Sequence, residues 1–300
     1  MTSFPTDTIF VEGPDLSGKT TLIENIHNKT NYKWHMMDRS KLSRFIFAEM
    51  YNRNHKDLRL EFLKEASNLN NRYVFMLPSF SLLEERYKIR GDKIHTVESL
   101  KQSYNLFVRE FSKFSRLSNV YAIANGASNR VEDLVINHMS IVENLEIDHL
   151  ISYVQTFVKN FKNKECNSLS FTIHDNGSFK ESNRNILNTK GEEFYYSRIY
   201  DSIMRKIDHE KNGINEYNRK EDLNSRRFVF TDDSCISMIH ALNRDNCLDM
   251  RFVCRSTDII RKFPSDLRFL YFIAARCWEE IGSNCTSARL NFTLNSAHII

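Results

Sequence analysis

Short apolar runs alternate with segments of helical apolar spacing along the first half of the chain. The runs at residues 8–12, 73–77 and 120–124 are rich in β-branched or aromatic residues, which is typical of buried strands. The segments of helical spacing are 20–27, 57–68, 79–87, 97–117 and 131–161. Strands and helices in alternation predict an α/β fold, with a parallel sheet covered by helices.

The second half has a globular composition with both helices and strands, and we expect it to form a smaller α+β domain. Its predicted elements are helices at 193–207 and 267–281 and strands at 227–231, 235–242, 248–254 and 288–294. Residues 163–167 are polar and predict a linker, and residues 176–190 predict a loop. The predicted domains are therefore 1–145 and a smaller one at 191–300, joined by a helix and linker at 146–190.

Composition narrows the functional class. Of 300 residues, 41% are hydrophobic and 27% are charged, so the chain can bury a core. The net charge of +4 is compatible with a phosphate-bearing ligand but does not by itself indicate nucleic-acid binding. No apolar run is long enough to span a membrane, and the first residues lack a secretory pattern. Six cysteines without metal-site spacing predict free thiols and a cytoplasmic location.

A phosphate-binding loop follows the first predicted strand. Its residues are Gly13, Pro14, Asp15, Leu16, Ser17, Gly18, Lys19, Thr20 and Thr21, and the first eight fit G-x-x-x-x-G-K-S/T. Backbone N–H groups of such a loop surround nucleotide phosphates, and the following helix N-terminus adds partial positive charge. We expect Lys19 to reach the phosphates of ATP and the Thr20 hydroxyl to hold Mg²⁺.

Two further segments indicate which reaction the phosphate loop takes part in. Asp38 is predicted at the end of the strand beside the loop, where it can act as a base or assist Mg²⁺. The neighbouring Arg39 can bind an acceptor phosphate. The alternative for Asp38 is a helix N-cap. Arg86, Lys88 and Arg90 precede a glycine and suit a lid that closes on the transferring phosphate. The alternative for these three is a solvated run of charges.

Residues 5–145 resemble the thymidylate kinase family of P-loop kinases. The resemblance is carried by VEGPDLSGKTT, by Asp38-Arg39 with Ser43, and by Arg86 and Arg90 as lid arginines. It implies a three-layer α/β fold and ATP-dependent phosphoryl transfer. Only 16 residues lie between Thr21 and Asp38, where that family has a longer segment that encloses its acceptor. This difference favours an acceptor larger than a free nucleotide, or one supplied by another domain.

Scattered residues of the second half predict a phosphate or nucleotide site, since guanidinium groups from separate segments can converge on one phosphate. The candidates are Arg226, Arg227, Arg255, Ser256, Asp258, Asp266 and His298. Taken singly, each arginine could equally be a surface residue. Together they resemble thymidylate synthase and the pyrimidine hydroxymethylases over residues 190–300. Cys235 lies twenty residues before Arg255. In the resembled family, the same spacing separates the nucleophilic cysteine from its phosphate-binding arginine.

The differences from that family are large. Ser234 and Ile236 flank Cys235 in place of Pro and His, and Cys254 and Ile300 replace Gln and Tyr. The catalytic glutamate and much of the folate pocket have no counterpart. We therefore interpret this half as a degenerate pyrimidine-nucleotide-binding domain, which in this family can be completed across a homodimer.

The two resemblances together point to pyrimidine deoxynucleotide chemistry of a kind found in tailed bacteriophages. One branch of the kinase family phosphorylates 5-hydroxymethyluracil within phage DNA, a step towards hypermodified thymines, in the host cytoplasm. The alternatives are a pyrimidine deoxynucleoside monophosphate kinase and a nucleotide-dependent binding protein that is not an enzyme. The expected partners are therefore DNA with a modified pyrimidine, or a free pyrimidine nucleotide.

Overall fold

The chain folds as two compact units. The computed structural model describes residues 2–3, 5–91, 95–124, 131–142, 146–161, 163–177, 196–206, 229–282 and 284–300. One unit is Thr6–Glu143, and the other combines Met1–Pro5 with Asn144–Ile300. The short strand β1 (Thr2–Ser3) therefore belongs to the second unit.

The first unit contains a four-stranded parallel sheet in the order β3-β2-β4-β5. In chain order its elements are β2 (Thr8–Glu12), α1 (Lys19–Thr30), β3 (His35–Asp38), α2 (Lys41–Met50), α3 (Leu58–Ala66), β4 (Asn71–Met76), α4 (Phe80–Arg90), α5 (Val97–Phe114), β5 (Val120–Ile123) and α6 (Val131–Val142). The strand that precedes the phosphate loop thus lies between β3 and β4, and β3 is at the edge of the described sheet.

Helices cover both faces of this sheet, because alternate residues of each strand point to opposite sides. Ile9 and Val11 of β2 face a buried cluster that includes Ile26 of α1 and Met139 of α6. Phe10, between them, stacks on Tyr73 of β4 on the opposite face, with ring centroids 5.2 Å apart. That face is filled further by rings from α3 and α5. The predicted three-layer α/β fold is confirmed.

The structure changes two helix predictions in this unit. The segment 41–50, which we did not predict as helical, is α2. Its side chains Leu42, Phe45 and Ile46 are buried. Helical spacing at 131–161 belongs to two helices, α6 and α7 (Ile147–Lys159), and α7 is part of the second unit. Periodicity alone did not reveal this break because both helices have apolar faces.

The second unit is built on a seven-stranded mixed sheet in the order β1-β6-β11-β9-β8-β7, with β10 paired to β11. After α7 its elements are β6 (Glu165–Asp175), α8 (196–206), β7 (Val229–Thr231), β8 (Ile236–Arg244), β9 (Cys247–Cys254), β10 (Thr257–Asp258), α9 (Phe263–Glu280) and β11 (Ser287–His298). Phe171, Phe292 and Phe252 lie in register on β6, β11 and β9, with centroids 4.8 and 5.0 Å apart. This row of rings is covered by α9.

Residues 165–167, expected to be part of a polar linker, instead begin β6. Leu169, Phe171 and Ile173 of this strand are buried between more exposed neighbours, and the whole strand pairs with β11. The range 146–190, predicted to lie outside both domains, thus contributes α7 and β6 to the second unit, which becomes the longer of the two. Glu165 and Asn167, two of the polar residues that suggested a linker, lie on the exposed side of this alternating strand.

Candidate active site

The phosphate loop occupies the turn from β2 to α1, and two glycines permit its backbone path. Gly13 has φ +142°, and a Cβ there would lie 2.5 Å from the Met76 carbonyl oxygen at the end of β4. Gly18 has φ +96° and is the residue immediately before α1. Both conformations disfavour any residue with a side chain. The predicted strand–loop–helix context of the motif is therefore present.

Lys19 is held at the base of this loop. Its side chain is only 5% exposed, its Nζ donates to the Pro14 carbonyl at 3.0 Å, and it lies 3.9 Å from Oδ1 of Asp38. Burial lowers the pKa of Lys19, and the nearby Asp38 and Asp15 carboxylates partly oppose this effect. A buried ammonium group without a hydrogen-bonded carboxylate is well suited to bind a phosphate.

The residues around Lys19 also fit a magnesium ion bound together with phosphates. The Thr20 side chain is exposed, and the Asp38 carboxylate is 42% exposed, so both present hard oxygen donors to solvent. Within the part of the chain that the structure describes, no group of three or more His, Cys, Asp or Glu forms a metal site by itself. Mg²⁺ usually takes one or two protein ligands and completes its shell with phosphates and water. Thr20 with Asp38 meets that requirement.

The turn after β3 brings Asp38 and Arg39 to the loop. Val11 of β2 is paired with Asp38, so the carboxylate lies beside the strand that leads into the loop. Arg39 has φ +79°, and its N–H donates to the Val11 carbonyl at 3.1 Å. Ser40, not Asp38, caps α2, since its Oγ accepts from the N–H of Leu42 at 3.0 Å. The helix-cap alternative for Asp38 is therefore wrong.

A buried carboxylate fixes this turn. Glu12, the last residue of β2, is completely buried and accepts from the Ser40 N–H at 2.6 Å and from the Ser43 hydroxyl at 2.5 Å. Burial raises the pKa of Glu12, while these two hydrogen bonds and Lys19 favour its charged form. In the sequence, Glu12 was noted only as part of VEGPDLSGKTT, and no role was predicted for it. Its position directly before the first glycine, at the end of a buried strand, is the signal that could have suggested this role.

Asp15 links the loop to Arg39 and to His95. Its Oδ1 lies 2.5 Å from Nη2 of Arg39 and its Oδ2 lies 2.9 Å from Nε2 of His95. The Arg39 guanidinium also lies over the Phe47 ring, at 4.8 Å from the centroid. His95, which is buried, was not predicted as a site residue, because it lies far from the loop in sequence.

Two of the three expected lid cations lie in the cleft. Arg86 of α4 donates from Nη1 to the Leu16 carbonyl at 2.8 Å and lies next to Gly18. Arg90 is one turn further along the same helix and is exposed. Lys88 points to solvent and lies 3.8 Å from Glu84, so the solvated-charge alternative fits this residue. The closing of this segment as a lid stays a prediction.

These residues line one cleft of about 1460 Å³ within the first unit. The lysine and arginine residues that line it are Lys19, Arg39, Arg44, Arg53, Arg86 and Arg90, and the acidic residues are Asp15, Asp38 and Glu132. The excess of positive charge attracts polyanions such as nucleotides. Arg44 and Arg53 were not predicted as site residues, because neither belongs to a motif.

In the second unit, two of the predicted substrate ligands have hydrogen-bond partners within the protein, and their role in substrate binding stays a prediction. Buried Asp266 accepts from the Tyr196 hydroxyl and from the Thr257 hydroxyl, both at 2.8 Å. Asp258 Oδ1 accepts from the N–H groups of Ile260 at 2.9 Å and Arg261 at 3.1 Å, in the turn before α9. Both carboxylates thus stabilise the connection between β10 and α9.

The remaining candidates lie at the strand ends beside that connection. The N–H of Arg255 donates to the Cys235 carbonyl at 2.7 Å, so these two residues, twenty apart in sequence, are neighbours. Both are exposed. The Ser256 hydroxyl lies 3.4 Å from Nδ1 of His298. Arg226 and Arg227 lie outside the described residues, so the convergence of arginines on one anion stays a prediction.

Comparisons with known proteins give weak similarities. No protein-family model and no curated protein sequence matches the chain. A solved deoxyadenosine kinase from M. mycoides, with the products dCMP and dCDP bound, is 12% identical, covers 45% of this chain and 100% of its own, and has a TM-score of 0.37. Thymidylate synthase from T4 phage is 18% identical over 32% of this chain, with a TM-score of 0.26. Thymidylate synthase A from Bacillus subtilis is 16% identical over 28%, with a TM-score of 0.24.

The chain spans about a third of the length of each synthase, 34% and 33% respectively. Because these similarities are weak, the chemistry of this chain has to be inferred from its own side chains. No helix among the described residues has the length and apolar character needed to cross a membrane.

Proposed function

We propose that the first unit is an ATP-dependent kinase that transfers a phosphoryl group to a hydroxyl of a pyrimidine deoxynucleotide. The observation that carries this proposal is the buried Lys19 ammonium group, 3.9 Å from the exposed carboxylate of Asp38 at the mouth of a phosphate loop. A fixed cation stabilises charge on the transferring phosphate, and a neighbouring carboxylate can take the proton of the acceptor hydroxyl.

In this proposal Lys19, Arg86 and Arg90 bind the triphosphate and balance the charge that develops during transfer. When bound, ATP with Mg²⁺ supplies the phosphoryl group. The acceptor oxygen forms a bond to the γ-phosphorus, the bond from that phosphorus to the bridging oxygen of ADP breaks, and Asp38 takes the hydroxyl proton. Arg39, fixed by Asp15, orients the acceptor through its phosphate.

For the acceptor, we propose the hydroxymethyl group of 5-hydroxymethyluracil in DNA. Two features support a large acceptor: β3 is an edge strand among the described residues, and the cleft of about 1460 Å³ exceeds the 300–1,000 Å³ usual for small-ligand sites. The cleft also contains Arg44 and Arg53 in addition to the cations assigned to ATP and the acceptor. A free pyrimidine deoxynucleoside monophosphate is the second candidate, favoured by the pairing of Arg39 with Asp15 beside the loop.

The test offers γ-labelled ATP with two kinds of acceptor. One series contains free dTMP, dUMP, dCMP and hydroxymethyl-dUMP, and the other contains DNA with hydroxymethyluracil beside matched DNA with thymine. Label that enters only the hydroxymethyluracil polymer supports the proposal. Label on a free nucleotide supports the monophosphate kinase. ATP hydrolysis without any labelled acceptor would contradict both and favour a nucleotide-dependent binding protein.

A further inference from the structure

One face of α2 presents a cation and two aromatic rings to the cleft. Arg44, Phe47 and Tyr51 are spaced i, i+3 and i+7, so they lie on one side of the helix and its C-terminal turn, and all three line the cleft. The core residues Leu42 and Phe45 lie on a different side. Phe47 contacts Arg39. Tyr51 is four residues further, about 6 Å along the helix axis.

The chain after α2 adds a second arginine to this face. The N–H of Arg53 donates to the Ala48 carbonyl at 2.7 Å, which turns the chain back over the end of the helix. Its guanidinium then lies over the Tyr51 ring, 5.2 Å from the centroid. The cleft therefore contains two arginine–aromatic pairs in succession: Arg39 with Phe47, and Arg53 with Tyr51. Arginines interleaved with aromatic rings are the arrangement that binds single-stranded nucleic acid.

The charges of Arg44 and Arg53 are available to a ligand. Both are exposed, and among the residues that the structure describes neither takes part in an ion pair, whereas Arg39 is paired with Asp15. Tyr51 is 43% exposed although it lines the cleft. Neither arginine is needed for ATP in the proposed function. Both side chains are therefore available to contact an anion other than the transferred phosphate.

We infer that the face formed by Arg44, Phe47, Tyr51 and Arg53 binds an unpaired DNA strand next to the acceptor nucleotide. Backbone phosphates contact Arg44 and Arg53, and a neighbouring base stacks on Tyr51. The inference rests on the proposed function for the polymeric nature of the acceptor. The strand is unpaired because the acceptor hydroxyl has to reach Asp38, which lines the cleft beside Arg39. Enzymes that modify a base within such a site act on a single strand or extrude the base from the duplex.

The test measures binding of a fluorescently labelled single-stranded oligodeoxynucleotide to the whole protein without ATP, over a series of salt concentrations. Each phosphate contact contributes about 0.7 to the slope of log affinity against log salt for single strands. R44A/R53A should therefore lower this slope by about 1.4. R44K/R53K keeps the charges and should retain most of it. Arg59 of α3 is exposed and does not line the cleft, so R59A is the matched control and should leave the slope unchanged.

A second variant tests the stacking contact. Tyr51→Leu keeps an apolar side chain but removes the ring, and it should weaken binding by roughly 5- to 100-fold. Circular dichroism and thermal unfolding check that each variant folds. Equal salt slopes for R44A/R53A and the wild type, or equal affinity for the single strand and its duplex, would overturn the inference.

The outcomes for the two proposals are separable. If the oligonucleotide binds with the expected slope but hydroxymethyluracil DNA is never phosphorylated, the inference stands and the proposed function is wrong. If hydroxymethyluracil DNA is phosphorylated and the slope does not depend on Arg44 and Arg53, the inference is wrong and the proposed function stands.

Discussion

Nε2 of His95 lies 2.9 Å from Oδ2 of Asp15, so a histidine just before α5 is hydrogen-bonded to the phosphate loop. The other oxygen of the same carboxylate holds Arg39. His95 is buried, and its Nδ1 lies 3.2 Å from the Ser99 hydroxyl in the first turn of α5. One carboxylate therefore fixes the positions of three segments relative to one another: the loop, the turn after β3 and the start of α5.

We expect His95 to act as a positioning residue for Arg39. His95→Phe removes the bond to Asp15, and a hydrogen bond to a charged group contributes about 1.5–3 kcal/mol. Because Arg39 binds the acceptor in the proposed function, the acceptor KM should rise roughly tenfold or more, while kcat changes less. His95→Gln keeps a donor and should restore part of the loss. A change in stability with no change in KM would show that the role is structural only.

Lys19→Ala should lower phosphoryl transfer by several orders of magnitude, because it removes the buried cation at the base of the loop. Steady-state assays with labelled ATP measure the rate, and circular dichroism checks the fold. Lys29→Ala is a matched control, since Lys29 is exposed on the same helix and pairs with Asp133. A folded Lys19→Ala protein with near wild-type activity would refute the assignment of this loop.

Asp38→Asn distinguishes the remaining roles of that carboxylate. The amide keeps the shape but cannot take a proton, so kcat should fall roughly 10²–10⁴-fold, with ATP affinity nearly unchanged. If Asp38 mainly holds Mg²⁺, nucleotide binding should weaken and added Mg²⁺ should restore part of the rate. A rate close to that of the wild type would exclude both roles.

Glu12 should give the unfolding free energy a specific pH dependence. Burial raises the pKa of Glu12 above its ordinary value of 4.5, so the folded protein retains this proton to higher pH than the unfolded chain does. The unfolding free energy therefore falls as the pH rises from about 4.5 through the folded pKa. Glu12→Gln removes this contribution, and its stability relative to the wild type should increase through that window and then level off.

Urea unfolding at a series of pH values measures this difference. Glu24→Gln, at an exposed position of α1, should give a curve parallel to that of the wild type. A stability difference between Glu12→Gln and the wild type that does not vary with pH would contradict the assignment.

Cys235 should be the first thiol to react with iodoacetamide under native conditions. It is exposed, Cys247 is partly exposed, and the other four cysteines are buried. Burial also raises the pKa of Cys277 to about 12, which keeps that thiol protonated and unreactive. Peptide mass spectrometry after brief labelling would show the order. Equal labelling of Cys235 and the buried thiols would mean that the second unit opens readily in solution.

Local signals along the chain were enough to predict several elements. The phosphate loop was predictable because its glycines and its lysine have fixed spacing between a buried strand and a helix, and this chemistry needs no distant residue. Strands β2, β4 and β5 were also predicted, since all three are short apolar runs, as expected for strands of a parallel sheet covered on both faces. Strand β6 could have been predicted as well from the alternation of Leu169, Phe171 and Ile173 with polar residues.

The distant residues that complete the site could be identified only from the packing of the folded chain. His95, Arg44 and Arg53 belong to no motif, and they reach the cleft because α5, α2 and the turn after α2 pack beside the loop. The structure also showed that Asp266, which resembles a substrate ligand, accepts hydrogen bonds from Tyr196 and Thr257, 70 and 9 residues away in sequence. The hydrogen-bond partner of a carboxylate depends on which groups folding brings within about 3 Å. The spacing of residues along the chain does not give the distance between these groups in the folded protein.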